Sequence, residues 1–465
     1  MQNDLAIEAL LENGDLRIPV TAKYASRYSL WIKFRQDCEF TCDDIFNLII
    51  QKNGDCLKIG PCRLIADSAQ VDHNGRLVFL QDVYDTHSLL SKKKAVKIQS
   101  IFNDLPTLLA RKENINPSFK NFTANLAYDL SVYKDLFDHL DSQYQQEPKS
   151  IKKSVQRALL KTEGQKFKRF LNEKLAELER LVAGFSTEEH QRHGFYFRKQ
   201  IQNFILSSAF MARTNLKPRG YPGDSEMMRM VYLNEYKGNT TFEKLMHKFP
   251  LEQPGAQSVR NRRKIIVEFL NQVKNTDHIT SHKEIKILSL ACGPAIEIED
   301  MLASPADAEK YQITLLDQDS TALREAADLI CGIEKKSNIK VKIDYLAASV
   351  RLMIANKKLK KKIGTHHFIY SLGLFDYLTQ RVARAVLESL YQLLKPGGTM
   401  VIGNFHISNQ SKCFLDYWLD WSLIHRTENE FLGLIKDLPS VKAYVFFEDT
   451  GNQMFLKIEK MSNGK

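Results

Sequence analysis

The sequence predicts a mixed α/β protein in which a mostly parallel seven-stranded sheet, covered by helices, follows a helical segment and a small β-rich domain. Three observations predict it. Short apolar runs separated by turn residues fill the chain to about residue 90. A three- and four-residue apolar period then dominates to about residue 215, and strand-like runs alternate with helical patterns from about residue 255 to the end. The expected boundaries are 1–92, 93–216 and 217–465.

In the first region SLWIKFR (Ser29–Arg35) mixes β-branched and aromatic residues. Asn53-Gly54-Asp55 and His73-Asn74-Gly75 read as turns between the apolar runs, which predicts hairpins in a barrel or sandwich. In the second region Phe119, Phe122, Leu126, Leu130, Tyr133, Phe137 and Leu140 mark one face of an amphipathic helix. Phe167, Leu171, Leu175, Leu178 and Val182 mark another, and Ser186 with Glu189 is a capping box opening a third. These aromatics read as core. After the turn-rich KPRGYPGDSEMM (Lys217–Met228), SVRNRRKIIVEFLNQV is helical, and IKILSL, QITLLD, HHFIYSL and TMVIGNF are strands. AYVFFED and MFLKIEK close the chain as a hairpin around Gly451-Asn452. Strands alternating with helices call for a parallel sheet.

Composition narrows the class. The chain has 465 residues, too many for one ordinary domain, and its 43% hydrophobic and 26% charged residues suit a folded globule. No apolar run reaches the roughly 18 residues of a membrane span. The N-terminal MQNDLAIEALLENGD is acidic and lacks a basic-then-apolar leader, so a cytoplasmic protein is expected. The net charge of +11 permits nucleic acid, acidic head groups or anionic small molecules. Lys357–Lys362 (KKLKKK) reads as solvated surface, and no basic motif interleaved with aromatics occurs, so no nucleic-acid partner is expected. Cys38, Cys42, Cys56 and Cys62 are spaced unlike the paired knuckles of zinc sites, and no metal is expected.

The chemistry is concentrated in four blocks. In IKILSLACGPAIEIEDM (Ile285–Met301) a strand ends at Leu290 and Ala291-Cys292-Gly293-Pro294-Ala295 leads into a helix. Small residues there allow close backbone approach, and the helix N-terminus offers free N–H groups. Asp317, at the tip of the next strand with Gln318 and Asp319 beside it, suits ribose hydroxyls or a helix N-cap. HHFIYSLGLFDYL (His366–Leu378) puts Ser371, Leu372, Gly373 and Asp376 at the carboxyl edge of a parallel sheet, where ligands sit. In LLKPGGTMVIGNF (Leu393–Phe405) a helix ends, Pro-Gly-Gly turns the chain and a strand begins.

This order of blocks, with the terminal hairpin, resembles the class I (Rossmann-like) methyltransferases across about residues 255–465. The resemblance implies S-adenosyl-L-methionine as cofactor, with S-adenosyl-L-homocysteine as product. Ala291, Cys292, Gly293, Pro294 and Glu297 would then meet its methionine part, Asp317 and Gln318 its ribose, and Ser371 and Leu372 would line the cleft. Ser289 replaces the usual acid before the loop, and Ala291 and Ala295 replace its first and last glycines. A nicotinamide enzyme would show a GxGxxG, which is missing.

GYPGDSEMM (Gly220–Met228), SVRNRR (Ser258–Arg263), ILSLACGPAIE, YSLGLFDYL and LKPGGTMVIGNF together are similar to bacterial enzymes of 3-hydroxypalmitic acid methyl ester synthesis, a quorum-sensing signal. That resemblance implies O-methylation of a fatty-acid carboxylate and a small-molecule acyl partner. The N-terminal region resembles PilZ-like domains but lacks their RxxxR and DxSxxG motifs, so regulation or dimerisation is expected of it rather than cyclic-dinucleotide binding.

A carboxylate is already ionised at neutral pH and needs orientation more than a base. Tyr221, Asp376 and His406 are the candidates for the catalytic face. Arg260, Arg262 and Arg263 offer forks for a carboxylate. Arg260 and Arg263, with Tyr377 and Tyr417, are taken as the acceptor-binding set. Phe414, Tyr417, Trp418, Trp421 and Ile424 form an aromatic stripe on an expected helix from Lys412 to Ile424, suited to core, an acyl pocket or a peripheral membrane contact. Two other readings stay open: a non-catalytic scaffold of the same fold, and an RNA or protein methyltransferase.

Overall fold

The chain divides into two compact units, Met1–Asn114 and Ile115–Lys465. The computed structural model describes residues 7–14, 16–26, 29–34, 45–52, 55–66, 74–79, 111–275, 284–302 and 304–462.

In the first unit, strands β1 (Ile7–Asn13), β2 (Leu16–Ser26), β3 (Ser29–Phe34), β4 (Ile45–Lys52), β5 (Asp55–Ala66) and β6 (Asn74–Phe79) close a barrel in the order β1-β2-β3-β6-β5-β4. Alternate residues such as Leu11, Val20, Ala22, Leu48 and Ile59 fill its interior. Asn74 and Gly75 do not form the expected turn: they begin β6, Asn74 opposite Lys33 and Gly75 between Ile32 and Ala66. Cys62 is a buried free thiol. The turn at 53–54 and the side chains of Cys38, Cys42 and Cys56 lie outside the described residues.

The second unit opens with a helical layer: α1 (Pro117–Gln143), α2 (Lys149–Lys161), α3 (Glu163–Val182), α4 (Thr187–Gln200), α5 (Gln202–Ser207), α6 (Ala209–Leu216), α7 (Ser225–Leu233) and α8 (Thr241–Leu251). Helix α9 (Pro254–Lys274) leads into β7 (Ile285–Leu290), α10 (Glu297–Met301), α11 (Pro305–Lys310), β8 (Tyr311–Asp317), α12 (Ser320–Ser337) and β9 (Lys342–Ala347). Then come α13 (Val350–Ala355), α14 (Lys357–Ile363), β10 (His366–Ser371), α15 (Gln380–Leu393), β11 (Leu394–Phe405), α16 (Lys412–Tyr417), α17 (Glu428–Leu432), β12 (Val441–Phe447) and β13 (Gln453–Lys460). The sheet order is β12-β13-β11-β10-β7-β8-β9, with β13 antiparallel to both neighbours.

The apolar runs of the central strands bury both faces. Ile287, Ile313, Phe368 and Val401 pack with Ile266 and Leu270 of α9, while Leu288, Leu316, Ile369 and Met400 pack with Val386 and Leu390 of α15. The helical layer has its own aromatic core, in which Phe119, Phe167, Phe197 and Phe242 meet Tyr417 and Trp418 from the far end of the chain. The capping box of Ser186 and Glu189 forms as expected.

Three boundaries differ from the sequence reading. The turn-rich patch is shorter, because Asp224 caps α7 through the Met227 N–H and the helix starts at Ser225. Pro396-Gly397-Gly398 does not precede β11 but lies within it, in a bulge where the register against β10 jumps between His366 and Phe368. The helix from Lys412 stops at Tyr417. Arg198 takes the Asp416 carbonyl at 2.7 Å and Asn215 that of Trp418 at 2.9 Å, Asp420 turns to φ +49°, and the Trp421 N–H folds back onto the Leu415 carbonyl.

Candidate active site

The carboxyl ends of β7, β8, β10 and β11 meet at one edge. After β7 the chain turns sharply: Ala291, Gly293 and Ala295 all have positive φ, between +48° and +55°. A Cβ added at Gly293 would meet nothing within 4 Å, so open space lies over the loop where its backbone is bare. The Gly293 N–H donates to Asp317 Oδ2 at 2.9 Å, and Asp317 Oδ1 accepts from the Asp319 N–H at 2.9 Å. One carboxylate therefore ties the loop after β7 to the start of α12. Burial pushes Asp317 above the usual carboxylate range, and the N–H groups of Asp319 and Gly293 pull it back. The Gln318 N–H also donates to it, and a carboxylate with about four acceptor positions keeps room for a further donor.

Asp319 is the N-cap of α12. Burial raises its pKa, but the Thr321 N–H and the Arg219 guanidinium at 3.0 Å outweigh that and hold it below its ordinary value. Across from it lies the strap Lys217–Asp224. Tyr221 Oη donates to Asp319 Oδ2 at 3.4 Å, and burial with the charges of Asp319 and Asp317 raises its phenol. Tyr377 Oη donates to the Pro222 carbonyl at 3.4 Å and accepts from Trp421 Nε1 at 2.8 Å. Gly223, at φ +78°, is pressed against this pair: a Cβ there would stand 2.7 Å from Trp421 and 2.8 Å from Tyr377 Oη. The strap is anchored behind by Asp224, almost wholly buried and held by Arg213 at 2.8 Å.

Beneath the loop Glu297 is buried and accepts from Tyr370 Oη at 2.8 Å. Burial pushes this carboxyl up. Ser371 Oγ donates to the Leu290 carbonyl at 2.9 Å, joining β10 to β7, and the Leu372 carbonyl accepts from Arg262 at 3.2 Å and Gln453 at 2.9 Å. Asp376 is 2% exposed and Oδ1 accepts from the Phe405 N–H at 2.7 Å. Burial drives its pKa to about 7, opposed by that N–H and the charges of Arg262 and Arg426.

The edge thus gathers Ala291, Cys292, Gly293, Pro294, Glu297, Asp317, Gln318, Ser371, Leu372 and Asp376, with Tyr221 and Tyr377 on the strap side. The structure leaves other candidates apart. Arg260 donates to the Val231 and Leu251 carbonyls at 3.1 and 2.8 Å, and Arg263 pairs with Asp300 and Glu299 at 2.7 and 3.0 Å. Tyr417 is in the helical core, bonded to His190 at 3.0 Å. His406 lies between Glu428 at 3.1 Å and Ser408 at 2.6 Å, its ring edge-on to Phe447. Two arginines outside the assigned set are the buried ones. Arg426 links the Phe375 carbonyl, Gln380, Asn404 and Leu378, fixing the loop after β10. Arg262 faces the edge itself. The signal that could have singled it out is helical phase: Arg262 is central on the α9 face of Ser258, Val259 and Ile266, which are buried, whereas Arg263 lies at the edge of that face and Arg260 off it.

Among the described residues no group of three or more His, Cys, Asp and Glu is disposed to hold a metal ion, and no helix is long and apolar enough to cross a membrane. A loop with bare backbone, an acid with free lone pairs at the next strand tip and a buried acid below it form a donor and acceptor set that fits a nucleoside bearing an amino acid.

The sheet order, with one antiparallel strand beside the edge strand, is that of a class I, Rossmann-like methyltransferase. A family model described as "Putative methyltransferase" matches residues 152–404, more than half of the chain. The chain belongs to that methyltransferase family. No curated protein matches its sequence. Among solved structures it is similar to a possible exported protein from Bordetella parapertussis, at 14% identity over 62% of this chain and 96% of that one, TM-score 0.40. It is also similar to magnesium protoporphyrin IX methyltransferase from Synechocystis with bound S-adenosylhomocysteine, at 10% identity over 44% and 86%, TM-score 0.33. An O-methyltransferase family protein from Burkholderia thailandensis matches at 12% over 46% and 64%, TM-score 0.31.

Proposed function

We propose that this methyltransferase O-methylates the carboxylate of a fatty acid, 3-hydroxylated in the nearest resemblance, to give a methyl ester. S-adenosyl-L-methionine is the cofactor, and when bound it supplies a methyl group activated on a sulfonium. The observation that carries the cofactor site is the Gly293–Asp317 hydrogen bond, which sets the loop and the acid at one edge.

In this reading Asp317 receives ribose hydroxyls with its remaining lone pairs. Glu297, buried beneath the loop, is assigned to the cofactor's amino group. An acceptor carboxylate held in line with that methyl would need no general base, because it is already ionised at neutral pH. The protein's task is alignment and exclusion of water. The strap suits both, since Tyr221, Pro222 and Gly223 bridge from Asp319 to Tyr377 and Trp421 across the edge. Tyr377, exposed and backed by the buried Trp421, offers aromatic surface for an acyl chain beside it. The motifs GYPGDSEMM and SVRNRR, which carry the resemblance to fatty-acid methyl ester synthesis, fall on this strap and on α9.

Calorimetry with S-adenosylhomocysteine tests the cofactor site. Wild type should bind, and Asp317→Ala should lose at least about a hundredfold in affinity, since it removes the ribose acceptor and releases the N–H groups it holds. Transfer of labelled methyl to a panel of fatty acids, amines and RNA tests the acceptor. Ester formation on fatty acids alone is expected; transfer to amine or RNA would replace this reading.

A further inference from the structure

Arg262 is a buried charge left short of partners. It is 7% exposed. A guanidinium carries five N–H donors, and a buried one is ordinarily paired or fully hydrogen-bonded. Here one NH₂ group donates to the Leu372 carbonyl at 3.2 Å, the other meets the thioether of Met228 at 3.4 Å, and the Tyr232 hydroxyl also accepts from the guanidinium, which still leaves donors without a partner. Nε is buried without a partner. Glu297 and Asp376 both feel its charge, yet among the described residues no ion pair within 4 Å joins it to an acid. Its neighbours in sequence show the contrast: Arg260 is spent on backbone carbonyls and Arg263 on two acids.

The position is as informative as the deficit. Leu372 and Gly373 follow β10 at the ligand edge, and a Cβ built on Gly373 would stand 3.4 Å from the Arg262 guanidinium. Glycine there leaves the fork facing an open backbone. The Glu297–Tyr370 pair, on the loop side, shares its electrostatic environment.

We propose that Arg262 is the carboxylate-receiving residue of the cleft, binding one ligand carboxylate through its vacant N–H donors. The proposal rests on the methyltransferase reading above. A planar fork matches a carboxylate bidentately, and the pair would be largely desolvated. Two ligands bring such a group to this edge: the amino-acid end of the cofactor and the acyl acceptor. The chemistry is the same, and the sources separate experimentally.

The test uses the full chain, with Arg262→Gln and Arg262→Lys beside wild type. Three probes are titrated: S-adenosylhomocysteine; 5′-methylthioadenosine, which lacks the amino-acid carboxylate; and 3-hydroxypalmitate added to the S-adenosylhomocysteine complex. Binding of either nucleoside by wild type checks the cofactor site independently of Arg262. If the cofactor carboxylate is the ligand, Arg262→Gln loses at least about tenfold for S-adenosylhomocysteine and nothing for methylthioadenosine. If the acceptor carboxylate is the ligand, both nucleosides bind as before and 3-hydroxypalmitate binding weakens by a similar factor. Arg262→Lys, which keeps the charge but not the fork, should fall between, and it carries the test if the glutamine variant does not fold. Equal losses for both nucleosides would mean a structural role, and no loss for any probe would mean no ligand. Either result overturns the proposal.

Discussion

His193 in the helical layer and Asp376 at the sheet edge are both 2% exposed, but they are buried in different ways. His193 uses both ring nitrogens on its own fold: Nε2 accepts the Asn116 N–H at 3.0 Å and Nδ1 donates to the Glu189 carbonyl at 2.8 Å. His247 and His190 likewise meet Phe210 and Tyr417. These groups lock helices together, and His193 has no ring nitrogen left over. At the edge, Asp317 and Asp376 are held by backbone N–H groups with capacity to spare, and Arg262 lacks a partner at Nε. A buried group with a deficit has room for a further partner; in the helical layer Trp418 Nε1 is also buried without one, so it is the deficit together with the place at the sheet edge that singles out Arg262.

The comparison breaks most visibly at Gly223, where the two regions meet through the strap. An alanine there must displace Trp421 or Tyr377 and adopt positive φ. Gly223→Ala is expected to cost about 2–3 kcal/mol in stability and to remove most methyl transfer. Thermal unfolding and S-adenosylhomocysteine titration check it. Full activity would mean that the strap does not need this close contact.

Acidity sharpens the comparison next, because the two regions titrate with opposite sign. Burial raises the folded pKa of Asp376 from 3.8 to about 7, so the unfolded chain gives up this proton first and stability falls as pH rises from about 4 to 7. Burial lowers His247 from 6.5 to about 4, so the unfolded chain takes this proton first and stability falls as pH drops from about 6.5 to 4. Asp376→Asn should match wild type only below about pH 4 and exceed it by a growing margin up to about pH 7. His247→Gln should flatten the acid side instead. Each effect is on the order of 1–3 kcal/mol, read from melting temperature against pH. Curves that stay parallel to wild type would show that these groups do not set the slopes.

How much of this could be read from the residues follows the same division. The strands β7, β8 and β10 were legible because buried parallel strands are continuous apolar runs, and the closing hairpin because Gly451-Asn452 separates two strand-like runs. β9 was not singled out: KIDYLA is an outer strand with mostly exposed residues, and its pattern is mixed. The bulge in β11 was hidden because Pro-Gly-Gly is ordinarily a turn, and only pairing with β10 makes it strand. At the site, the loop and Asp317 were legible from spacing along one strand–loop–helix unit. Which of three arginines faces inward depends on the phase of α9 against the sheet, and the strap's hold on Asp319, Tyr377 and Trp421 joins segments about a hundred or more residues apart in sequence.

The smallest effect separates two alanines that the motif alone treats alike. Both stand where this class usually has glycine, and both take left-handed backbone, Ala291 at φ +53° and Ala295 at φ +48°. An L-residue there costs roughly 1–2 kcal/mol, which glycine removes while adding up to about 1 kcal/mol of unfolded-state entropy. The methyl groups differ. Ala295 is 1% exposed and packs in the core beneath the sheet, so deleting it gives up roughly 0.8 kcal/mol of burial. Ala291 is only half-buried and gives up less. Ala291→Gly should therefore raise stability by about 0.5 kcal/mol, whereas Ala295→Gly should be close to neutral. Urea unfolding of the two variants resolves this. The reverse order would mean that the packing of these methyls, rather than the backbone strain, governs this loop.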